Sequence, residues 1–299
     1  MYEDVILNEY GFYSLKSLPS DEERERYYKE KYYQEAMSSY EFTYTDEELA
    51  FFNAKLEQKL LLINEHIPYP RETGKRSFLD VGCGEGFALA FFKDKGFSVL
   101  GLDYSSAGLK NHNNDLVDNI IIGDVYGSIN SLIAKGTHFD VINMDNILEH
   151  VIDPKTLLHQ VHTLLKDNSI VIIKVPNDFS YLQKYFWEHN IIKKTHWVAP
   201  LGHISYFNKE GLISICNVAG LECVDFLSDQ LIEFFALNPN TNYYENKNVG
   251  KSCHFARVAQ ENIFHGISPE KTIALYRALG DMGLGRQIIG VFKKATNQC

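Results

Sequence analysis

The sequence predicts an α/β protein built on one doubly wound, mostly parallel sheet, and three observations carry that reading. Ser77-Phe78-Leu79 is a short apolar run of the kind that forms a buried parallel strand, with Asp80 at its carboxyl end. Gly82, Gly84 and Gly86 follow at every second position, so the backbone can turn tightly and a ligand can approach the main chain. From there, short apolar runs alternate with helical patterns to about residue 227, and one further apolar run lies at 287–292.

Each element has a local signal. Pro19-Ser20-Asp21-Glu22-Glu23 is a helix start, with Ser20 a good N-cap and acids in the first turn. The tyrosines that follow (Tyr27, Tyr28, Tyr32 and Tyr33) suit either an amphipathic helix docked on the core or a lid over a ligand. Thr45-Asp46-Glu47-Glu48 opens another helix, carrying Leu49, Phe52, Leu56, Leu60 and Ile63 and ended by Pro68 and Pro70. Residues 1–70 therefore read as an N-terminal helical accessory or lid segment. A helix starts near Glu85, with Ala88, Leu89, Phe91 and Phe92 at helical spacing. Further strands are expected at 99–103, 120–125, 138–144, 170–175, 221–226 and 287–292, which with the first makes seven. Asn208 opens a helix through Leu212, Ile213, Ile215 and Val218. The core then spans 71–227, and 286–299 hold the last strand and tail. Residues 228–285 form an insertion, as substrate pocket or oligomer contact, with exposed loops at 238–242 and 247–250 and a helix at 269–279.

Composition narrows the function. The net charge is −10 with no basic block, which argues against a large nucleic-acid footprint. The five cysteines (Cys83, Cys216, Cys223, Cys253 and Cys299) form no C-x-x-C pair, so no zinc cluster or disulfide framework is indicated. Met1-Tyr2-Glu3-Asp4 lacks the basic flank and apolar stretch of a signal peptide, and no apolar run reaches membrane-spanning length. A cytoplasmic protein without membrane or nucleic-acid partners is expected.

Strand, glycine turn and helix N-terminus together make a nucleotide-binding crevice. Asp103 ends the second strand, where an acid can accept both hydroxyls of a ribose, a role shared by nicotinamide and other nucleoside sites. The dinucleotide spacing G-x-G-x-x-G fails, because Phe87 stands three residues after Gly84. Tyr181-Leu182-Gln183-Lys184 also misses, by one residue, the Tyr-x-x-x-Lys pair of many nicotinamide-dependent oxidoreductases and epimerases. Asp80-Val81-Gly82-Cys83-Gly84-Glu85-Gly86 instead resembles motif I of the class I S-adenosylmethionine (SAM) dependent methyltransferases. The stretches Phe139-Asp140-Val141, Leu148-Glu149-His150-Val151-Ile152-Asp153-Pro154 and Leu165-Lys166 through Pro176-Asn177 resemble the ubiquinone-type group of that family, over about residues 75–227. Asp167, Asn168 and Ser169 replace the usual Pro-Gly-Gly there, where a type I turn is feasible.

The resemblance implies a Rossmann-like methyltransferase fold, SAM as cofactor, and a cofactor site of Asp80, Gly82, Gly84, Gly86, Asp103, Tyr104, Asp124, Val125, Met144 and Asp145. Asp124 matches the residue that accepts from the adenine amino group. For methyl transfer to a hydroxyl a base is needed, and His203 and His150 are the candidates, with Glu149 beside them. Some relatives bind a magnesium-type ion through E-x-x-E-H. Asn146 replaces the first of those glutamates here, so a site without metal is expected. The aromatic stretch 179–197 falls where relatives carry substrate loops, and Arg286 either pairs an anionic substrate or cross-links the insertion. The reaction implied is methylation, to oxygen, of a small polar metabolite or a sugar. More loosely, the terminal segments resemble methyltransferases of bacterial surface-glycan pathways. The alternatives are a small-molecule N-methyltransferase, a metal-assisted RNA 2′-O-methyltransferase, a non-catalytic SAM-binding subunit and a nicotinamide-dependent enzyme. A homodimer is left open.

Overall fold

The computed structural model describes residues 3–20, 43–67, 74–200, 202–229 and 231–295. The tyrosine-bearing helix expected after Ser20 lies outside the described residues, as do Pro68 and Pro70. In chain order the elements are β1 (Val5–Leu7), β2 (Tyr13–Leu15), α1 (Asp46–His66), β3 (Ser77–Val81), α2 (Phe87–Asp94), β4 (Ser98–Asp103), α3 (Ala107–His112), β5 (Ile120–Ile122), α4 (Val125–Ala134), β6 (Phe139–Asp145) and α5 (Pro154–Leu164). There follow β7 (Leu165–Pro176), α6 (Tyr181–Glu188), β8 (Ser205–Tyr206), α7 (Lys209–Val218), β9 (Leu221–Asp229), α8 (Gly250–Ile267), α9 (Pro269–Asp281) and β10 (Gln287–Lys294).

Seven strands form the main sheet in the order β5-β4-β3-β6-β7-β10-β9. The first five run parallel, and β10 enters antiparallel between β7 and β9. The strand order reverses between β3 and β6, so a crevice opens beyond their carboxyl ends, where doubly wound sheets hold ligands. Side-chain alternation decides what faces it. Leu79, Val81, Ile142, Met144, Val171 and Ile173 point to one face of the sheet, into a core closed by α5 and α7. Phe78, Val141, Ile170 and Ile172 point to the other, against α1 and α2. Asp80, Asn143, Asp145 and Lys174 fall on that second face by the same two-residue period, beneath α1.

Several expectations need correction. The N-terminal segment is not purely helical: β1 and β2 pair with β8 in a separate antiparallel sheet. The third core strand stops at Ile122, because Asp124 leaves it to N-cap α4 through Gly127 N–H at 2.7 Å. No type I turn forms at 167–169; Asn168 takes a left-handed conformation with φ 58°. The sixth strand runs on to Asp229. The chain at 247–250 is a short 3₁₀ turn that feeds α8, a helix the sequence reading missed. The aromatic stretch does not line a substrate site. Phe179, Phe186 and Trp197 are buried with Tyr206 as the core of the small sheet, and the cavity lining resumes only beyond the stretch, at Ala199.

Thr45 N-caps α1 in a full capping box with Glu48, as the sequence indicates. The buried face of α1 is rotated from the one expected: Phe51, Ala54, Gln58, Lys59, Leu62 and Ile63 are buried, while Leu49 is exposed. Packing against both the sheet and α8 explains the displacement, since no single apolar stripe serves two surfaces.

Candidate active site

A single cavity of about 1490 Å³ runs along the carboxyl ends of the central strands, from Asp124 on one side to Arg257 on the other. Its first half is built by the glycine turn. Gly82, Gly84 and Gly86 all have positive φ (76°, 52° and 78°), which favours glycine at each position. A Cβ on Gly82 would lie 2.0 Å from Cδ1 of Ile147. The turn is held from below by Asp103, whose Oδ2 accepts from Gly84 N–H at 2.8 Å and whose Oδ1 accepts from Ser105 N–H at 3.0 Å. Asp103 also lines the cavity, where its remaining acceptor capacity suits a ribose hydroxyl. Asp124 stands further out, where the exposed Tyr104 hydroxyl donates to its Oδ1 at 3.1 Å. Val125 also lines the cavity. Met144 does not: it is fully buried on the opposite face of the sheet, so its side chain is removed from the cofactor site.

At the floor sits a charged network that sequence reasoning missed. Asn143 Nδ2 donates to Asp80 Oδ1 at 2.7 Å, and Lys59 Nζ donates to Asn143 Oδ1 and Asp145 Oδ2, each at 2.6 Å. Lys174 Nζ reaches the same Asp145 oxygen at 3.0 Å. Burial pushes the Asp80 carboxyl up to about 6, only partly offset by Asn143. Burial also opposes ionisation of Asp145, yet Lys174 and Lys59 hold it down at about 2. Lys59→Ala is expected to lower stability by about 2–3 kcal/mol in urea denaturation. It strips two buried acceptors, although Lys174 still neutralises Asp145. A loss below about 0.5 kcal/mol would mean that Lys59 does not anchor α1.

Beyond the floor, the three proposed catalytic residues come together. Glu149 is 1% exposed, and neither carboxylate oxygen has a hydrogen-bond partner among the described residues. Burial, with Asp178 adding to it, pushes its pKa up to about 8. His150 Nδ1 lies 2.6 Å from the Gly202 carbonyl, so Nδ1 carries the proton and Nε2 is left as an acceptor. His203 meets it edge-on, ring centroids 4.8 Å apart, and its Nδ1 has no hydrogen-bond partner among the described residues. Burial, then His150 and Arg286, hold the His203 ring down to about 3, so both rings are neutral at neutral pH. Glu149, His150 and His203 offer ligand atoms within 4.8 Å of one another. Asn146 does not join them: it adopts φ 54°, and its Oδ1 accepts from Gln287 at 3.0 Å. Arg286 pairs with the fully buried Asp178 at 3.0 Å and is held charged by it, with Tyr244 and Glu233 adding to the effect. It thus ties the insertion to the segment after β7 while lining the cavity. The neighbouring Phe179 has φ 55°, a strained conformation for a bulky residue.

The residues present fit SAM: an acid at the cavity wall for the ribose, a glycine turn open to close approach, and a second acid beyond it. Among the described residues no helix is long and apolar enough to cross a membrane. Residues 32–225 match the family model described as "Methyltransferase domain". The chain is 27% identical over 190 residues to the ubiquinone biosynthesis O-methyltransferase of Azotobacter vinelandii, covering 61% of this chain and 76% of that one. It is 28% identical over 196 residues to the enzyme of the same name from Pasteurella multocida, covering 59% and 76%. A SAM-dependent methyltransferase from Archaeoglobus fulgidus shares the fold, with TM-score 0.51 and 19% identity over 83% of this chain and 95% of that one. With motif I, the seven-stranded sheet and the nucleoside half of the cavity already in place, the chain belongs to the methyltransferase-domain family and is a class I SAM-dependent methyltransferase.

Proposed function

We propose that the enzyme methylates an oxygen of a small polar acceptor, a hydroxylated metabolite or a sugar, without a metal. The observation that carries this reading is the second half of the cavity, where Lys55, Asp145, Glu149, His203, Asp229 and Arg286 line one space continuous with the nucleoside half. Such a lining supplies donors and acceptors for several hydroxyls, beside the apolar Leu227, Ile273 and Ile289. An RNA acceptor is disfavoured by the net charge of −10.

When bound, SAM supplies an electrophilic methyl group for in-line displacement. Around it, the backbone of Gly82–Gly86 lies close against the ligand, Asp103 accepts from the ribose, Tyr104, Asp124 and Val125 bound the adenine end, and Asp80 faces the ammonium. On the acceptor side, the neutral rings of His203 and His150 accept a hydrogen bond from the hydroxyl and aim its oxygen. The proton released from the hydroxyl as the C–O bond forms and the methyl–sulfur bond breaks passes to the ionised form of Glu149, whose raised pKa makes it the most basic of the three. The test is a screen of hydroxylated acceptors with methyl-labelled SAM, read by mass spectrometry. Label on a polar hydroxyl supports the reading, and label confined to amines would replace it with N-methylation.

One pH dependence follows for SAM binding. The raised Asp80 pKa lies near 6, and the ionised form is the one that suits an ammonium. Affinity for SAM is therefore expected to be level above pH 7 and to fall by about tenfold between pH 7 and pH 5 as Asp80 takes up a proton. An affinity flat over that range would remove Asp80 from the ammonium site.

A second reading rests on the unpartnered atoms of Glu149 and His203. These two with His150 would hold a divalent cation, which would lower the pKa of the acceptor hydroxyl. Turnover unchanged by EDTA supports the metal-free reading. Turnover lost in EDTA and restored by magnesium supports the second.

A further inference from the structure

Five cationic side chains line the cavity, and four have a carboxylate within ion-pair distance. Lys55 lies 2.6 Å from Asp229 and 2.8 Å from Glu261, while Lys59 and Lys174 share Asp145 and Arg286 holds Asp178. Arg257, on α8, has none among the described residues. Its guanidinium lies over the Phe51 ring at 4.8 Å, Nη2 donates to His254 Nδ1 at 2.9 Å, and Nε has no hydrogen-bond partner among the described residues. His254 therefore carries its proton on Nε2, which donates to Glu48 Oε1 at 2.7 Å. Glu48 is fixed in turn by the cap of α1, where its other oxygen accepts from Thr45 N–H at 2.9 Å. The result is a guanidinium braced from behind by a chain of hydrogen bonds.

Of the nearby acids, Glu261 does not need it as a hydrogen-bond partner, and Asp229 has Lys55 within ion-pair distance. Glu261 already accepts from Gln58 at 2.8 Å and from Tyr276, and shares Lys55 with Asp229. Burial lowers the Arg257 pKa, and Asp229, Glu261 and Glu48 offset this only in part. A desolvated, oriented fork of N–H donors at a cavity wall suits a planar or tetrahedral oxyanion, which it can bind by two parallel hydrogen bonds.

We propose that Arg257 binds an anionic group, carboxylate or phosphate, carried by the methyl acceptor; this rests on the reading of that half of the cavity as the acceptor site. The acceptor is then a hydroxylated acid or a phosphorylated hydroxy compound rather than a neutral one.

The test is calorimetric titration of the full chain, loaded with S-adenosylhomocysteine, with inorganic phosphate and separately with acetate, using wild type, Arg257→Gln and Arg257→Lys. At least one anion is expected to bind wild type saturably, to bind Arg257→Gln at least about tenfold more weakly, and to bind Arg257→Lys with intermediate affinity, since lysine keeps the charge and loses the fork. Preference for phosphate identifies a phosphorylated acceptor, and preference for acetate a carboxylated one. S-adenosylhomocysteine should bind all three proteins alike, which reports the cofactor half and the fold independently. No saturable anion binding to wild type, or binding that Arg257→Gln leaves unchanged, overturns the proposal while leaving the methyl-transfer reading standing.

Discussion

Asp103→Ala is expected to weaken SAM binding by about a hundredfold, roughly 3 kcal/mol. The carboxylate does two jobs at once: it accepts from the backbone N–H groups of Gly84 and Ser105, and it offers its remaining lone pairs to the ribose. Alanine ends both, leaving the glycine turn without its brace where the ligand lies closest. Asp103→Asn separates charge from shape. Because both carboxylate oxygens accept from N–H groups, the amide must turn its NH₂ toward one of those donors. Asparagine should therefore be nearly as damaging as alanine, although its volume is unchanged. Calorimetric titration checks both variants. A loss below about threefold for either would take Asp103 out of the ribose site.

The second large effect is on turnover. His203→Ala should lower kcat by about a hundredfold or more while SAM binding stays within about twofold. His203 sits with His150 and Glu149 on the side of the cavity away from Asp103 and Asp124, so its loss should not touch the nucleoside. Its low pKa keeps it unprotonated, and the work assigned to it is accepting and aiming a hydroxyl rather than storing a proton. Glu149→Gln serves as the companion variant. It keeps the shape but removes the ionisable oxygen at the centre of the cluster, so it should also reduce kcat with SAM affinity preserved. If His203→Ala weakened SAM as much as it slowed turnover, the acceptor-side role would be wrong.

The half of the cavity we assign to the nucleoside could be proposed from the sequence because its determinants are local. Three alternating glycines, an acid at the end of each of two neighbouring strands and an acid that opens α4 all lie within a few residues of the turns they build. The acceptor half was less legible, because its members meet only through tertiary packing. Lys59 reaches Asp145 from α1, and nothing in the spacing of the helix announces that a lysine lies on its buried face. Arg257 was hidden in a stretch read as insertion, where α8 starts without a side-chain N-cap or an acid in its first turn to announce it. Met144 was recoverable from pattern alone. Once Asp145 is taken to face the crevice, strand alternation sends Met144 to the opposite face. The aromatics of 179–197 misled for a different reason: composition marks them as buried or binding, and only the pairing of β8 with β2 shows that they close a small core of their own.

The account turns on what the proposed acceptor half of the cavity accepts, and one measurement addresses it. The purified enzyme is incubated with SAM labelled in its methyl group and a panel of small hydroxylated acids, sugar phosphates, neutral sugars and alkylated phenols, and the products are read by mass spectrometry. The account predicts label on an oxygen of a polar acceptor, with the anionic members ahead of the neutral ones. Label carried only by the alkylated phenols would contradict it.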